Sequence, residues 1–317
     1  MMNKIFINGD KKSHDGINKV FFLGSKNMGY RVLKKMYSID PHSLERIITI
    51  DDSDDDRSCY DKFCTFATQN NIPLSVLNKP SELSPIVGDQ NPELIMVVGW
   101  YWIIPTNIIE KVPNGIIGIH SSLLPQYRGF APLVWSIING DTKTGISLFY
   151  LAEGIDKGDI IDQRQLLIGE NTTISSLLND TEQLSIEMIN QHYKKILKRT
   201  NNKTPQSAHN ISYCAIRKPE DGRINWSKDN NIIHNFIRAQ SDPYPGAFTY
   251  IKDKKYYIID SRIIRETYYG APGTIAQSGN NSITVCCGKN ALELTHIREE
   301  QSKENIVNKM KFGKKFE

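Results

Sequence analysis

The chain has 317 residues, 39% of them hydrophobic, with 39 lysines and arginines against 35 acids and a formal net charge of +4. That length allows two domains or one large one, and so mild a charge makes no electrostatic case for nucleic acid as a partner. No apolar run approaches the roughly 20 residues of a membrane span, the opening MMNKIFINGDKKSHDG is not a secretory signal, and five scattered cysteines with no CxxC pair suit reduced thiols in a cytosol and no metal site. The expectation is a cytoplasmic protein that neither spans nor rests on a membrane.

NKVFFLGSKNMGYRVLKKM (Asn18–Met36) reads as strand, glycine turn and helix, since VFFLG is continuously apolar, as in a strand buried on both faces, and YRVLKKM has helical spacing. RIITIDDS (Arg46–Ser53) reads as a second strand, and DDDRSCYDKFCTFATQNN as a helix capped by an aspartate. IPLSVL, PELIMVVGW (Pro92–Trp100) and GIIGIH (Gly115–His120) supply three more strands. Strands alternating with helices at this spacing imply right-handed βαβ units and a parallel sheet, whose ligands bind at the carboxyl ends of the strands. The GSKNMG turn is either an anion cradle at a helix N-terminus or a plain tight turn; it is neither GxGxxG nor a P-loop.

APLVWSIING reads as a helix ending at Gly140, TGISLFYL and GDIIDQRQLLI as strands, and Thr173–Thr200 as a long amphipathic helix. NNKTPQSAHN is a polar linker, which places a boundary near Thr204–Tyr213, hence domains at 1–204 and 205–317. After a turn and a helix, AFTYI, KKYYIIDSRIIRE, GTIAQS, SITVCCG and ALELTHIRE are short strands between turns, the pattern of a small β-barrel or sandwich. The closing KMKFGKKFE reads as an exposed final strand with solvated lysines.

Two loops are too polar for core strands: HSSLLPQYRG, following the strand that His120 closes, and GIDKGD, which holds Asp156 in a glycine-bounded turn. Taken alone, a strand-end histidine is structural more often than catalytic. Both Asp156 and Asp159 suit turns on local grounds. Together the two loops resemble the folate-dependent formyltransferases, whose pattern is Asn-x-His-x-Ser-Leu-Leu-Pro followed by an aspartate in Gly-x-Asp-x-Gly-Asp. The family includes glycinamide ribonucleotide, methionyl-tRNA and sugar N-formyltransferases, and the likeness extends over most of the chain. It implies an α/β fold: a Rossmann-like catalytic domain with a parallel-rich sheet, then a small OB-like β-barrel. It implies that 10-formyltetrahydrofolate is the co-substrate, that His120 is the general acid/base and oxyanion donor, and that Asp156 is its partner. It also implies folate-binding loops at Ser122, Leu123, Leu124 and Pro125 and at Ala152, Glu153, Gly154 and Ile155. One departure stands out: the family asparagine, which helps hold the oxyanion, is Gly118 here.

Formyl transfer explains the residue types. A neutral amine attacks the formyl carbon, and one proton must leave the amine while another reaches the folate nitrogen. An imidazole titrates near neutral pH, and a carboxylate beside it fixes its orientation. For the acceptor, residues 40–57 carry seven acids against Arg46 and Arg57, where relatives acting on tRNA carry a basic loop. GWYWIIP (Gly99–Pro105), YRGFAPLVWSIINGD and RKPEDGRINW (Arg217–Trp226) resemble the sugar branch, which implies a nucleotide-linked amino-deoxysugar destined for surface polysaccharide and, since that branch commonly dimerises, a homodimer. Trp100 and Tyr101 are then candidates to pack on the sugar or base, Lys218 and Arg223 to meet the diphosphate, and Arg128 to bind ligand or clamp the backbone. Methionyl-tRNA is the rival acceptor, and a formyl-folate hydrolase the rival reaction that Gly118 raises.

Overall fold

A computed structural model describes residues 16–317; most of the opening stretch read as lacking a secretory signal lies outside the described residues. The apolar runs form the strands they predict: β1 (Val20–Gly24), β2 (Leu44–Ile50), β3 (Leu74–Leu77), β4 (Leu94–Val98) and β5 (Ile116–His120). A two-residue strand β6 (Arg128–Gly129) follows, then the long strands β7 (Lys143–Tyr150) and β8 (Ile160–Leu167). Seven of these make one sheet in the order β3-β2-β1-β4-β5-β7-β8, parallel from β3 to β5 and antiparallel at β7 and β8.

Helices cover the sheet, which is why β1 and β4 are buried along their whole length. These are α1 (Lys26–Ile39), α2 (Tyr60–Gln69), α3 (Leu83–Gln90), the single turn α4 (Thr106–Ile109), α5 (Pro132–Ile138) and α6 (Ile174–Leu197). One core packs α1, α2 and α6 against Phe22, Ile47 and Met96, while the other face of the sheet buries Phe21, Ile48 and Ile95. Thr173 caps α6, its hydroxyl accepting the Ser176 N–H.

Two local expectations are corrected. The aspartates before α2 do not cap it: the helix begins at Tyr60, after Cys59, because Asp52 and Asp55 are drawn into ion pairs with Lys26 and Arg57. Nor is the segment after α6 a free linker. Ile160 and Thr204 exchange backbone hydrogen bonds, and the short strand β9 (Tyr213–Cys214) pairs in parallel with β6, so this polar stretch is pinned against β6 and the start of β8.

Beyond it come α7 (Asn230–Arg238) and an antiparallel sheet of β10 (Ala247–Ile251), β11 (Lys254–Ile263), β12 (Ile275–Ser278), β13 (Ile283–Cys286) and β14 (Ala291–Glu299), in the order β10-β11-β14-β13-β12. The basic tail is not a further strand. Its backbone joins the two edges: Ile275 N–H donates to Lys314 C=O, Phe316 N–H to Gly273 C=O, and Glu317 N–H to Tyr250 C=O. Phe316 is thereby buried and stacked on Trp226 at 5.4 Å, so the tail closes the sheet. All five cysteines are free. Among the described residues no cluster of ligating side chains is suited to a metal, and no helix is long and apolar enough to cross a membrane.

Candidate active site

His120 is the last residue of β5; pairing with parallel β4 ends at Gly118, while antiparallel β7 runs on to set Ser147 opposite His120, so the sheet fixes its backbone from the β7 side. Asp156 comes from the turn between β7 and β8. That turn closes by Ala152 N–H to Lys157 C=O and Tyr150 N–H to Asp159 C=O. It needs glycine at 158, where φ is +117° and an added Cβ would stand 2.1 Å from Tyr150 O. Asp156 itself is left-handed, φ +46°. Gln206 holds it there, its Nε2 donating to the carbonyls of Asp156 and Gly158, both at 2.9 Å.

The two side chains meet: His120 Nδ1 lies 3.6 Å from Asp156 Oδ2, which also accepts the Gly129 N–H at 2.7 Å. On its other edge His120 Nε2 is 2.7 Å from the Tyr127 carbonyl oxygen. A carbonyl only accepts, so Nε2 carries the proton, and the neutral ring presents the lone pair of Nδ1 toward the carboxylate. A proton arriving at Nδ1 is stabilised at once by Asp156. The ring also packs edge-on to Phe149, centroids 6.5 Å apart. Asp156 rather than Asp159 is the partner; Asp159 pairs with Lys203.

His120 and Asp156 line a cleft of about 300 Å³ at the carboxyl ends of the strands, with walls from Met28, Trp100–Ile104, Phe130, Phe149 and Ala152–Ile155 except Glu153. Trp100 and Tyr101 line the cleft, Trp100 packed edge-on to Trp102 at 5.4 Å. Ala152, Gly154 and Ile155 line it and Glu153 does not. Ser122–Pro125 lie outside its lining and brace the floor. Ser122 Oγ–H donates to Gln126 C=O at 2.6 Å, Ser147 Oγ–H donates to Ser122 C=O at 2.7 Å, and Gln163 holds Leu124 C=O at 2.9 Å. Leu123, Leu124 and Pro125 instead edge a separate shallow depression with Lys143 and Asn210.

All three proposed ligand-binding cations stand elsewhere. Arg128 is only 5% exposed and forks onto Gln206 Oε1, with Nη2 at 2.6 Å and Nε at 3.2 Å, so it clamps the Asp156 turn through Gln206. Lys218 begins a short 3₁₀ turn, its N–H donating to Asp221 at 2.7 Å, and Arg223 stacks on Tyr250 at 5.2 Å; neither lines the cleft.

Sequence reasoning missed a charged cluster at the mouth. Lys26 Nζ, 2.8 Å from Asp52 and 2.7 Å from Asp55, sits 5.0 Å from the ring centre of Tyr101, whose hydroxyl donates to Asp52 at 3.1 Å. Arg57 completes it, chelating Asp55 through Nε and Nη2 and lying 4.9 Å above Tyr244. Burial opposes charging Lys26 and Asp52. The ion pairs outweigh it, so the Lys26 pKa is raised and that of Asp52 lowered. Arg57, with Lys26 second, holds the Asp55 carboxyl far below the usual range. The Ser25 hydroxyl donates to Gly99 C=O and Asn27 to Glu182, and with Lys26 paired to Asp52 and Asp55 the GSKNMG turn leaves no side-chain cation free for an anion. Only the run of aspartates hinted at the cluster; that they reach Lys26 and Tyr101 is tertiary.

The site has a histidine with a defined tautomer, a carboxylate at its basic nitrogen and an aromatic cleft. Residues 63–192 match the family described as formyl transferase, and residues 217–312 its C-terminal domain. A methionyl-tRNA formyltransferase of Acetivibrio thermocellus is 32% identical over 254 residues, 79% of this chain and 81% of that protein. The chain belongs to the formyltransferase family. Formyltransferases of this family use formyl-folate, and the chain is an enzyme of that class. The bifunctional polymyxin resistance protein ArnA of Wigglesworthia glossinidia brevipalpis is 34% identical over 282 residues, covering 89% of this chain and 41% of that protein. Among solved structures, the sugar 3N-formyl transferase WlaRD, crystallised with dTDP and 5-N-formyl-THF, aligns with TM-score 0.67 over 90% of this chain and 99% of its own, at 20% identity. An N-formyltransferase from Helicobacter canadensis, in complex with folinic acid and dTDP-3-aminofucose, gives 0.66 over 89% and 99%, at 21% identity. At such identities the likeness is one of fold.

Proposed function

We propose that this formyltransferase moves the formyl group of 10-formyltetrahydrofolate to the amine of a nucleotide-linked amino-deoxysugar. The amine attacks the formyl carbon and loses a proton to His120 Nδ1, beside Asp156. The same proton passes to the folate nitrogen as its bond to the formyl carbon breaks, which leaves tetrahydrofolate and the formamide. Ala152, Gly154 and Ile155 contact the folate, while Ser122–Pro125 brace the turn that follows His120. Gly118 offers the oxyanion no side chain. A Cβ there would stand 2.8 Å from Leu151 Cδ1 and 3.3 Å from Phe149 Cε1, so apolar side chains crowd the space that the family asparagine needs.

The observation that carries the sugar reading is the mouth of the cleft. A tRNA acceptor brings a phosphate backbone, and its binding depends on free cations. Here Lys26 and Arg57 are neutralised by Asp52 and Asp55, while Asp51, Asp54 and Asp56 are exposed beside them. The aromatic walls suit a small acceptor with a ring to stack. The identity to a methionyl-tRNA formyltransferase keeps that acceptor as the second reading. Calorimetric titration of the enzyme with dTDP, UDP and methionyl-tRNA, each at low and high salt, separates the two. Saturable nucleoside diphosphate binding with weak tRNA binding supports the sugar acceptor; tight tRNA binding that collapses with salt overturns it.

A further inference from the structure

His120 does not choose its own tautomer; the carbonyl of Tyr127 chooses it, and Tyr127 is held in an unusual way. Its φ is +57°, a left-handed conformation that an aromatic L-residue adopts at a cost and glycine adopts freely. Three tethers keep it there. The Tyr127 N–H donates to Ser212 Oγ at 2.8 Å, its phenol donates to Asp141 Oδ2 at 2.6 Å, and the phenol oxygen accepts from Asn139 Nδ2 at 3.1 Å. Ser212 grips the neighbours too, accepting the Arg128 N–H on its carbonyl and donating its own N–H to Pro125 C=O. Asp141 is fixed at the end of α5 by its N–H to Ser136 C=O. Burial first, and the Asp141 carboxylate second, push the phenol up to about 12, so it stays a donor throughout the neutral range.

We infer that Tyr127 is a positioning residue for His120: tethered by Asp141, Asn139 and Ser212, its left-handed backbone aims a carbonyl at Nε2 and so leaves Nδ1 as the proton acceptor beside Asp156. A glycine would take the same φ without the tethers, but its carbonyl would then be free to swing. The tyrosine trades conformational ease for a fixed direction. This rests on the reading of His120 as the base, and the test reports on the ring itself as well as on the rate.

The experiment is ¹⁵N NMR of the histidine side chains in the full chain, wild type and Tyr127→Phe, alongside pH–rate profiles for formyl transfer. The wild type should show His120 as the Nε2–H tautomer. Losing the phenol's charge-assisted hydrogen bond should mix the tautomers and lower kcat about tenfold, with KM for the formyl-folate within about twofold and the basic limb of the profile displaced. Asp141→Asn, at a half-buried position outside the cleft, should give the same changes at smaller size and serves if the phenylalanine variant does not fold. Wild-type tautomer and wild-type profile in a folded variant would overturn the positioning role. Mixed tautomers with an unchanged profile would uphold it and instead remove His120 as the base.

Discussion

Replacing Asp156 by asparagine tests the carboxylate's part in the chemistry. The amide oxygen can still accept the Gly129 N–H, now made at 2.7 Å, so the turn should survive. What is lost is one negative charge 3.6 Å from His120 Nδ1. At an effective dielectric of about 20, that charge is worth about 4–5 kcal/mol to an imidazolium at this distance. The carboxylate side chain is 25% exposed, and solvent screening reduces the figure to about 2–3 kcal/mol. The expected result is a fall in kcat of about 10²-fold. KM for formyl-folate should change little, and the melting temperature should move by no more than a few degrees. The assay is release of tetrahydrofolate at saturating acceptor across pH. An Asp156→Asn enzyme within about threefold of wild type, with the same pH profile, would refute the charge argument.

Three further outcomes follow from the same geometry. His120→Ala should abolish detectable transfer while circular dichroism and melting stay near wild type; transfer at near wild-type rate would remove His120 from the mechanism. Gly158→Ala puts a Cβ 2.1 Å from a backbone oxygen at φ +117°, and should cost at least about 2 kcal/mol in urea unfolding along with activity; an unchanged midpoint would contradict the close approach. The Asp55 carboxyl is depressed in the folded state below its ordinary value of 3.8, chiefly by Arg57. Its contribution is therefore full above that value and is lost progressively as pH falls below it toward the lower folded-state pKa. Asp55→Asn should lower stability at pH 7 and flatten its decline in acid; a decline below about pH 4 as steep as that of the wild type would exclude the ion pair as the source.

Much of the parallel sheet was legible because its strands are buried on both faces and read as unbroken apolar runs: VFFLG, LIMVV and GIIGIH each became a strand. The histidine and aspartate were legible as residues, since a strand end and a glycine-bounded turn are where such a fold holds its ligands. Their approach to 3.6 Å was not, because it depends on Gln206 reaching back from beyond α6 to hold the Asp156 turn. Arg128 shows the same limit: from the sequence it reads equally as a ligand contact or a backbone clamp, and only the tertiary contacts of its donors with Gln206 and Tyr213 favour the clamp. The acids before α2 satisfied the local rule for a cap, and tertiary ion pairing to Lys26 and Arg57 overrode it. The tail read as a solvated strand because its lysines dominate, yet the burial of Phe316 decides where it lies.

The identity of the acceptor is tested most directly by a transfer assay. The enzyme would be given 10-formyltetrahydrofolate with a panel of dTDP- and UDP-linked amino sugars, and separately with methionyl-tRNA, and each acceptor read by mass. A formyl gain on one sugar nucleotide, matched by released tetrahydrofolate, is the expected result. Formylated methionyl-tRNA with every sugar silent would contradict the reading of the acidic mouth, and formate released with no acceptor modified would contradict transfer to an amine.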